Sequence, residues 1–300
     1  MNKLKSIQRI FNLEILIFLV YLLNMNQFGG NWTEAKMEII VSYTKAYLTI
    51  MNKQAWAKTL YFDGFAGSGL IEIEEDEVEK GTALRILEIT DPKPFDLYYF
   101  VEKKEKHKIE LENNIQANYF GKNAHVVKAD CNDKLKDMAD FLAKIKNYRA
   151  LAFIDPYGMT VKWPSIEILK GLGVDLWILV PTGVGANRLL KRNGDISESW
   201  ITKLEQFLGL DKVEIFTQFY KQQTVNTLFG EESIIEKERN SIKKIGDIYS
   251  KRLNEVFAYV SESFIMYNRN NSVMYHFMMA TNNLNALKIA NDVIKPKYKL

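Results

Sequence analysis

Four carboxylates in this chain of 300 residues stand where an apolar run gives way to turn residues: Asp63, Glu102, Asp130 and Asp155. The first opens Asp63-Gly64-Phe65-Ala66-Gly67-Ser68-Gly69, whose glycines let the backbone bend sharply and approach a ligand closely. The dinucleotide fingerprint G-x-G-x-x-G is not met, because no glycine stands three residues beyond Gly69. Glu102 can accept both hydroxyls of a ribose, the chemistry that an adenosine-bearing ligand requires. Asp130 is followed by Cys131, a small apolar side chain with nothing beside it that marks a nucleophile. Asp155-Pro156-Tyr157-Gly158 combines an acceptor acid, a prolyl carbonyl and an aromatic ring. Further on, small residues at 181–187 run into Arg188, Lys191 and Arg192, a loop and helix start suited to phosphate. Plainer roles are open to these groups: strand-end turn chemistry for Asp155-Pro156, and a solvated basic helix face for the three cations.

The elements that must position these groups follow from the apolar pattern. Residues 59–62, 96–101, 124–129, 149–154 and 175–180 are short β-type runs. Helical stretches are expected between them at about 82–89, 103–119, 133–145 and 165–171, with an acidic loop at 72–79. Runs that are apolar throughout belong in a parallel sheet covered on both faces, so the expected fold is α/β, a Rossmann-like, doubly wound, mostly parallel sheet. Upstream, Met37, Ile40, Val41, Thr44, Tyr47, Leu48 and Met51 recur at helical spacing, with Asn31 or Thr33 available as a cap. Residues 195–257 read as a polar helical insert. Residues 257–267 and 272–281, joined by the turn Asn268-Arg269-Asn270-Asn271, read as an antiparallel hairpin, and 284–294 as a closing helix. The expected organisation is therefore an N-terminal extension 1–26, a Rossmann-like core 27–194, the insert 195–257, and a hairpin and helix 258–300 that complete the core.

Composition narrows the chemistry. A chain that is 47% hydrophobic and 26% charged can bury a core, and a net charge of +3 permits a nucleic-acid partner without requiring one. One cysteine excludes a disulfide framework and a cysteine-based cluster within this chain, and three scattered histidines have no metal spacing, so no metal is expected. The compartment is expected to be reducing and cytoplasmic. Residues 13–23 (LEILIFLVYLL) are too short to span a membrane, contain Glu14 and precede no small-residue cleavage site. Three readings remain for this start: a buried or partner-binding helix, an upstream mis-start with Met25 as the natural initiator, or a membrane anchor within 11–25. No membrane association is expected otherwise.

Two motifs resemble known enzymes. The acid with G-x-x-G-x-G is similar to the first motif of class I methyltransferases, which bind S-adenosylmethionine. The likeness implies cofactor contacts at Asp63, Gly64, Phe65, Ala66, Gly67 and Gly69, with Asp63 near the cofactor's amino-acid portion, Glu102 on the ribose, and Asp130 with Cys131 at the adenine. Asp155-Pro156-Tyr157-Gly158 resembles the [D/N/S]-P-P-[F/Y] motif of amino-methyltransferases, in which the acid and a prolyl carbonyl accept hydrogen bonds from the target amine. Here one proline is present, Tyr157 fills the second proline's place and Gly158 the aromatic's. A cytosine-C5 enzyme would need a Pro-Cys nucleophile where this chain has Pro156-Tyr157. From residue 27 onward the chain also resembles the three-Cys-motif partner (TcmP) proteins of bacteria and phages. The matching words are Gly29-Gly30-Asn31-Trp32-Thr33 with Lys36, the turn at 63–69, residues 153–158 and DLWILVPTGVGANRLLKR at 175–192. That likeness implies a separate three-cysteine partner protein and a mobile-element or phage-defence setting. The activity that the Asp155–Gly158 likeness implies is N-methylation of a nucleic-acid amino group, DNA or RNA, with Asp155, Pro156 and Tyr157 catalytic; Arg188, Lys191 and Arg192 would then hold the phosphates. The alternative is a methyltransferase-fold module that binds nucleic acid or the partner without catalysis. A nicotinamide oxidoreductase lacks its hydride-site residues at these strand ends.

Overall fold

In the computed structural model, which describes residues 31–72, 78–227 and 230–299, the apolar runs become the strands of one sheet. Helix α1 (Asn31–Met51) leads into β1 (Lys58–Asp63), and the short strands β2 (Leu70–Glu72) and β3 (Val78–Lys80) precede α2 (Thr82–Leu87). Then β4 (Leu97–Glu102), α3 (Glu105–Asn118), β5 (Ala124–Lys128), α4 (Cys131–Lys144), β6 (Tyr148–Ile154), α5 (Trp163–Glu167) and β7 (Val174–Val180) alternate. A π-helical turn (Thr182–Ala186) and α6 (Asn187–Leu189) follow, with α7 (Glu198–Leu208), α8 (Lys212–Phe219), β8 (Tyr220–Thr227), β9 (Gly230–Lys237) and α9 (Ser241–Val256) after them. The chain closes on β10 (Tyr259–Val260), β11 (Phe264–Tyr267), β12 (Val273–Thr281) and α10 (Leu284–Ile294).

The sheet runs β10-β12-β7-β6-β1-β4-β5, with β11 also on β12. The five strands from β7 to β5 are parallel, and β12 enters antiparallel beside β7. Side chains alternate between two cores, as the pleat requires. Leu60, Phe62, Ala152, Ile154 and Ile178 face α4, α7 and α9, while Tyr61, Phe100, Phe153, Trp177 and Phe277 face α1, α2 and α10. Both faces are covered, which is why the strands carry continuous apolar runs. Trp163 and Trp177 are core residues.

The expected helical insert 195–257 is corrected in two ways. Ile201, Leu204, Phe207, Ile215, Tyr249 and Leu253 join the same core as the sheet, so α7 to α9 are a layer of the main body. Between α8 and α9 stands the antiparallel ribbon β8–β9, whose first strand, YKQQTVNT, is too polar to show a strand period. The flanks of the expected acidic loop 72–79 likewise pair, as β2 with β3. The readings for residues 1–26 lie outside the described residues, among which no helix is long and apolar enough to cross a membrane.

Candidate active site

The glycine turn is bolted to both neighbouring strands. The Gly64 N–H donates to the Phe153 carbonyl of β6 and the Ala66 N–H to the Val101 carbonyl of β4, each at 3.0 Å. The Gly67 N–H donates to Glu102 Oε2 at 3.0 Å. Gly67 (φ 63°) and Gly69 (φ 80°) take left-handed conformations that favour glycine. Cys131 packs beneath the turn: a Cβ on Gly64 would lie 2.5 Å from its Sγ. Burial, reinforced by Asp130 and Asp63, pushes that thiol well above its ordinary range, so it serves as packing and not as a nucleophile.

Asp63 is 1% exposed and accepts from the Phe65 N–H at 3.0 Å and from the Tyr61 hydroxyl at 3.5 Å. Burial above all, helped by Asp155, pushes its carboxyl up to about 7, against the opposing pull of the Phe65 amide and the Lys36 charge. Glu102 is buried, and its Oε1 accepts from the Lys104 N–H at 2.7 Å. Two of the roughly four acceptor positions of its carboxylate are thus taken, and two remain for a pair of hydroxyls. Asp155 forms an ion pair with Lys36, a lysine of α1 that is 6% exposed. Pro156 is buried, whereas Tyr157 is 71% exposed and meets the edge of Phe65 with centroids 6.5 Å apart. Lys36, Asp63, Gly67, Gly69, Asp155 and Tyr157 line a cleft of about 120 Å³ at the carboxyl ends of the parallel strands. Ligands of open α/β sheets bind at such strand ends.

Asp130 is placed differently. It caps α4, with Oδ1 accepting from the Asn132 N–H at 2.9 Å, and its Oδ2 pairs with Lys103 at 3.1 Å. It lines a wider groove of about 760 Å³, shared with Met159, Lys162, Arg188 and Lys203. Of the three cations expected on phosphates, Arg188 lines this groove and Lys191 and Arg192 do not. Lys191 lies over the Trp200 ring, 5.4 Å from its centroid, and the Arg192 carbonyl accepts from the Lys237 N–H. Lys162 and Lys203 went unnoticed in the sequence because isolated surface lysines carry no spacing signal. Asn132 fixes the first of them, its side chain accepting from the Lys162 N–H at 2.8 Å and donating to the Thr160 carbonyl at 2.9 Å. Lys36 stood in a matching motif with no role attached. Its one signal was a charge set among the apolar positions of α1.

Numbered by the large strands, the sheet order is third, second, first, fourth, fifth, then the last strand antiparallel, then the one before it. With a glycine turn after the first strand and an acid after the second, this is the Rossmann-like class I methyltransferase fold. Compared as a sequence, the chain matches no protein-family model and no curated protein. Compared as a structure, it is similar to the proposed methyltransferase yhhF from Escherichia coli at 15% identity, covering 65% of this chain and 85% of that one, with a TM-score of 0.28. It is also similar to protein LPL1258 from Legionella pneumophila at 12% identity, covering 83% and 97%, with a TM-score of 0.40. A third similar structure is spermidine synthase from Thermotoga maritima, at 12% identity, 86% and 62% coverage and a TM-score of 0.39. Likenesses this distant concern the chain trace alone.

The residues present fit S-adenosylmethionine. Gly67 leaves open space where a Cβ would stand, the buried Glu102 keeps spare acceptor positions, and Asp63 is a buried acid without a full cationic partner.

Proposed function

We propose that this protein is an S-adenosylmethionine-dependent methyltransferase that N-methylates an amino group of a nucleic acid. The observation that carries the reading is the convergence of Asp63, Gly67, Asp155 and Tyr157 on one cleft, with Glu102 hydrogen-bonded to the turn that forms its wall. The cofactor supplies an electrophilic methyl group. Asp63 holds its ammonium, Glu102 its ribose hydroxyls, and the backbone of the turn packs against it. Asp155 and the Pro156 carbonyl accept hydrogen bonds from the target amine and so aim its lone pair, a contribution of positioning. The exposed Tyr157 ring offers a face to a base. Arg188, Lys162 and Lys203 line the groove that would track phosphates. In line with the sequence resemblance, a three-cysteine protein is the working partner, and a mobile-element or phage-defence setting in the cytoplasm follows.

Incubation with tritiated cofactor and either DNA or RNA tests this reading. Label should enter one of them and disappear with Asp155→Ala; transfer that survives the substitution contradicts the role of Asp155. A second reading has its own support: Asp155 is engaged by Lys36, and its motif carries a single proline. On that reading the protein is a non-catalytic module that binds nucleic acid or the partner, and the cofactor binds without label transfer.

A further inference from the structure

The head of the cleft holds an uneven set of charges. Asp63 and Asp155, at the ends of the adjacent strands β1 and β6, face one ammonium, that of Lys36 on α1. Lys36 is ion-paired with Asp155, and its charge also reaches Asp63. The lysine lies almost wholly out of solvent, with its ammonium 5.8 Å from the Trp32 ring centroid. Lys36 also lines the cleft, together with Thr33, Gly67, Gly69 and its partner Asp155.

Building on the reading of this cleft as the S-adenosylmethionine site, we infer that Lys36 receives the α-carboxylate of the bound amino-acid portion. In doing so it gives up Asp155, which is released to the acceptor amine. The charges argue for the exchange. A zwitterionic amino acid brings one cation and one anion to a site that holds one cation and two acids. Asp63 takes the incoming ammonium, and the incoming carboxylate competes with Asp155 for Lys36. Asp155 is then left on the side where Tyr157 is exposed, with its acceptor positions free for an N–H donor. Because the ammonium draws charge from the Asp155 oxygen it holds, Oδ2, its departure makes Asp155 a stronger acceptor for a neutral amine, and the exchange couples acceptor binding to cofactor binding. Such coupling is reciprocal.

The test uses calorimetry on the full chain, without acceptor, and two probes. One is S-adenosylhomocysteine; the other is its decarboxylated analogue, which keeps the amine and lacks only the α-carboxylate. Wild type should prefer S-adenosylhomocysteine by roughly tenfold to a hundredfold, the ordinary range for a charge-assisted hydrogen-bonded pair. Lys36→Met should abolish that preference while leaving the affinity for the analogue in place, and Lys36→Arg should retain it. Asp155→Asn removes the competing anion and should widen the preference beyond wild type. The inference is overturned if Lys36→Met weakens both probes equally, the mark of a structural role, or if Asp155→Asn leaves the preference unchanged. A wild-type chain that binds neither probe overturns the cofactor reading itself, a result distinct from those two.

Discussion

Lys36 and Asp155, 119 residues apart in the chain, meet as an ion pair at the head of the cleft, the lysine side chain 8% and the aspartate side chain 26% exposed. The pair ties the first described helix to the end of β6, and its two charges pull in opposite senses on the Asp63 carboxyl, which burial chiefly raises.

Asp63 supplies a pH signature. Its carboxyl titrates at about 7 in the folded chain and at 3.8 when unperturbed, chiefly because it is buried. Between those values the native state keeps a proton that the unfolded state has released. Its contribution to stability is therefore complete below the lower value and is lost as pH rises through the upper one. Asp63→Asn keeps an acceptor for the Phe65 N–H and removes the titration. Urea midpoints measured from about pH 4 to about pH 8 should show the variant gaining on wild type as pH rises. Parallel curves would refute the assignment.

The two left-handed glycines of the turn should separate fold from function. A Cβ on Gly69 would lie 2.8 Å from Leu111 Cδ1 and 2.9 Å from Leu84 Cγ, so Gly69→Ala adds overpacking to backbone strain. Together these should cost roughly 2–4 kcal/mol in denaturant unfolding. A Cβ on Gly67 meets nothing within 4 Å. Gly67→Ala should therefore cost only about 1 kcal/mol of stability, while its methyl group enters the ligand space and lowers cofactor affinity. Equal destabilisation by the two variants would count against this picture.

The groove cations should show in the salt dependence of nucleic-acid binding. Glutamine at Lys162, Arg188 or Lys203 should each lower the slope of log K against log salt by about 0.7–0.9. Glutamine at Lys191 or Arg192, which lie outside the groove lining, should change it little. Fluorescence anisotropy with single-stranded RNA and DNA gives these slopes. Equal losses at all five positions would point to a diffuse basic surface.

The strand-end placement of the candidate site's acids was legible in the sequence for one physical reason. A strand buried on both faces must be apolar throughout, so the acids that end such runs, Asp63, Glu102 and Asp155, stand out against it. The hairpin of β11 and β12 was equally plain, because Asn268–Asn271 is turn chemistry between two apolar runs. The ribbon β8–β9 was hidden, since the exposed residues 221–224 (KQQT) of its first strand are all polar and show no strand period. Lys36 was hidden too: its role depends on meeting Asp155 across the fold, and helical spacing alone ranks it among core-facing positions. Asp130 shows the opposite limit. Its strand-end position was read correctly, yet one of its oxygens caps α4, a duty that local sequence also permits.

The central claim, that this cleft binds S-adenosylmethionine through the acid after the second large strand, is tested most directly by titrating the cofactor calorimetrically into wild type and Glu102→Ala. The prediction is saturable one-to-one binding to wild type and at least a tenfold loss in the variant, the scale of a lost charge-assisted contact of about 1.5–3 kcal/mol. No binding to wild type, or an affinity that Glu102→Ala leaves unchanged, would contradict it.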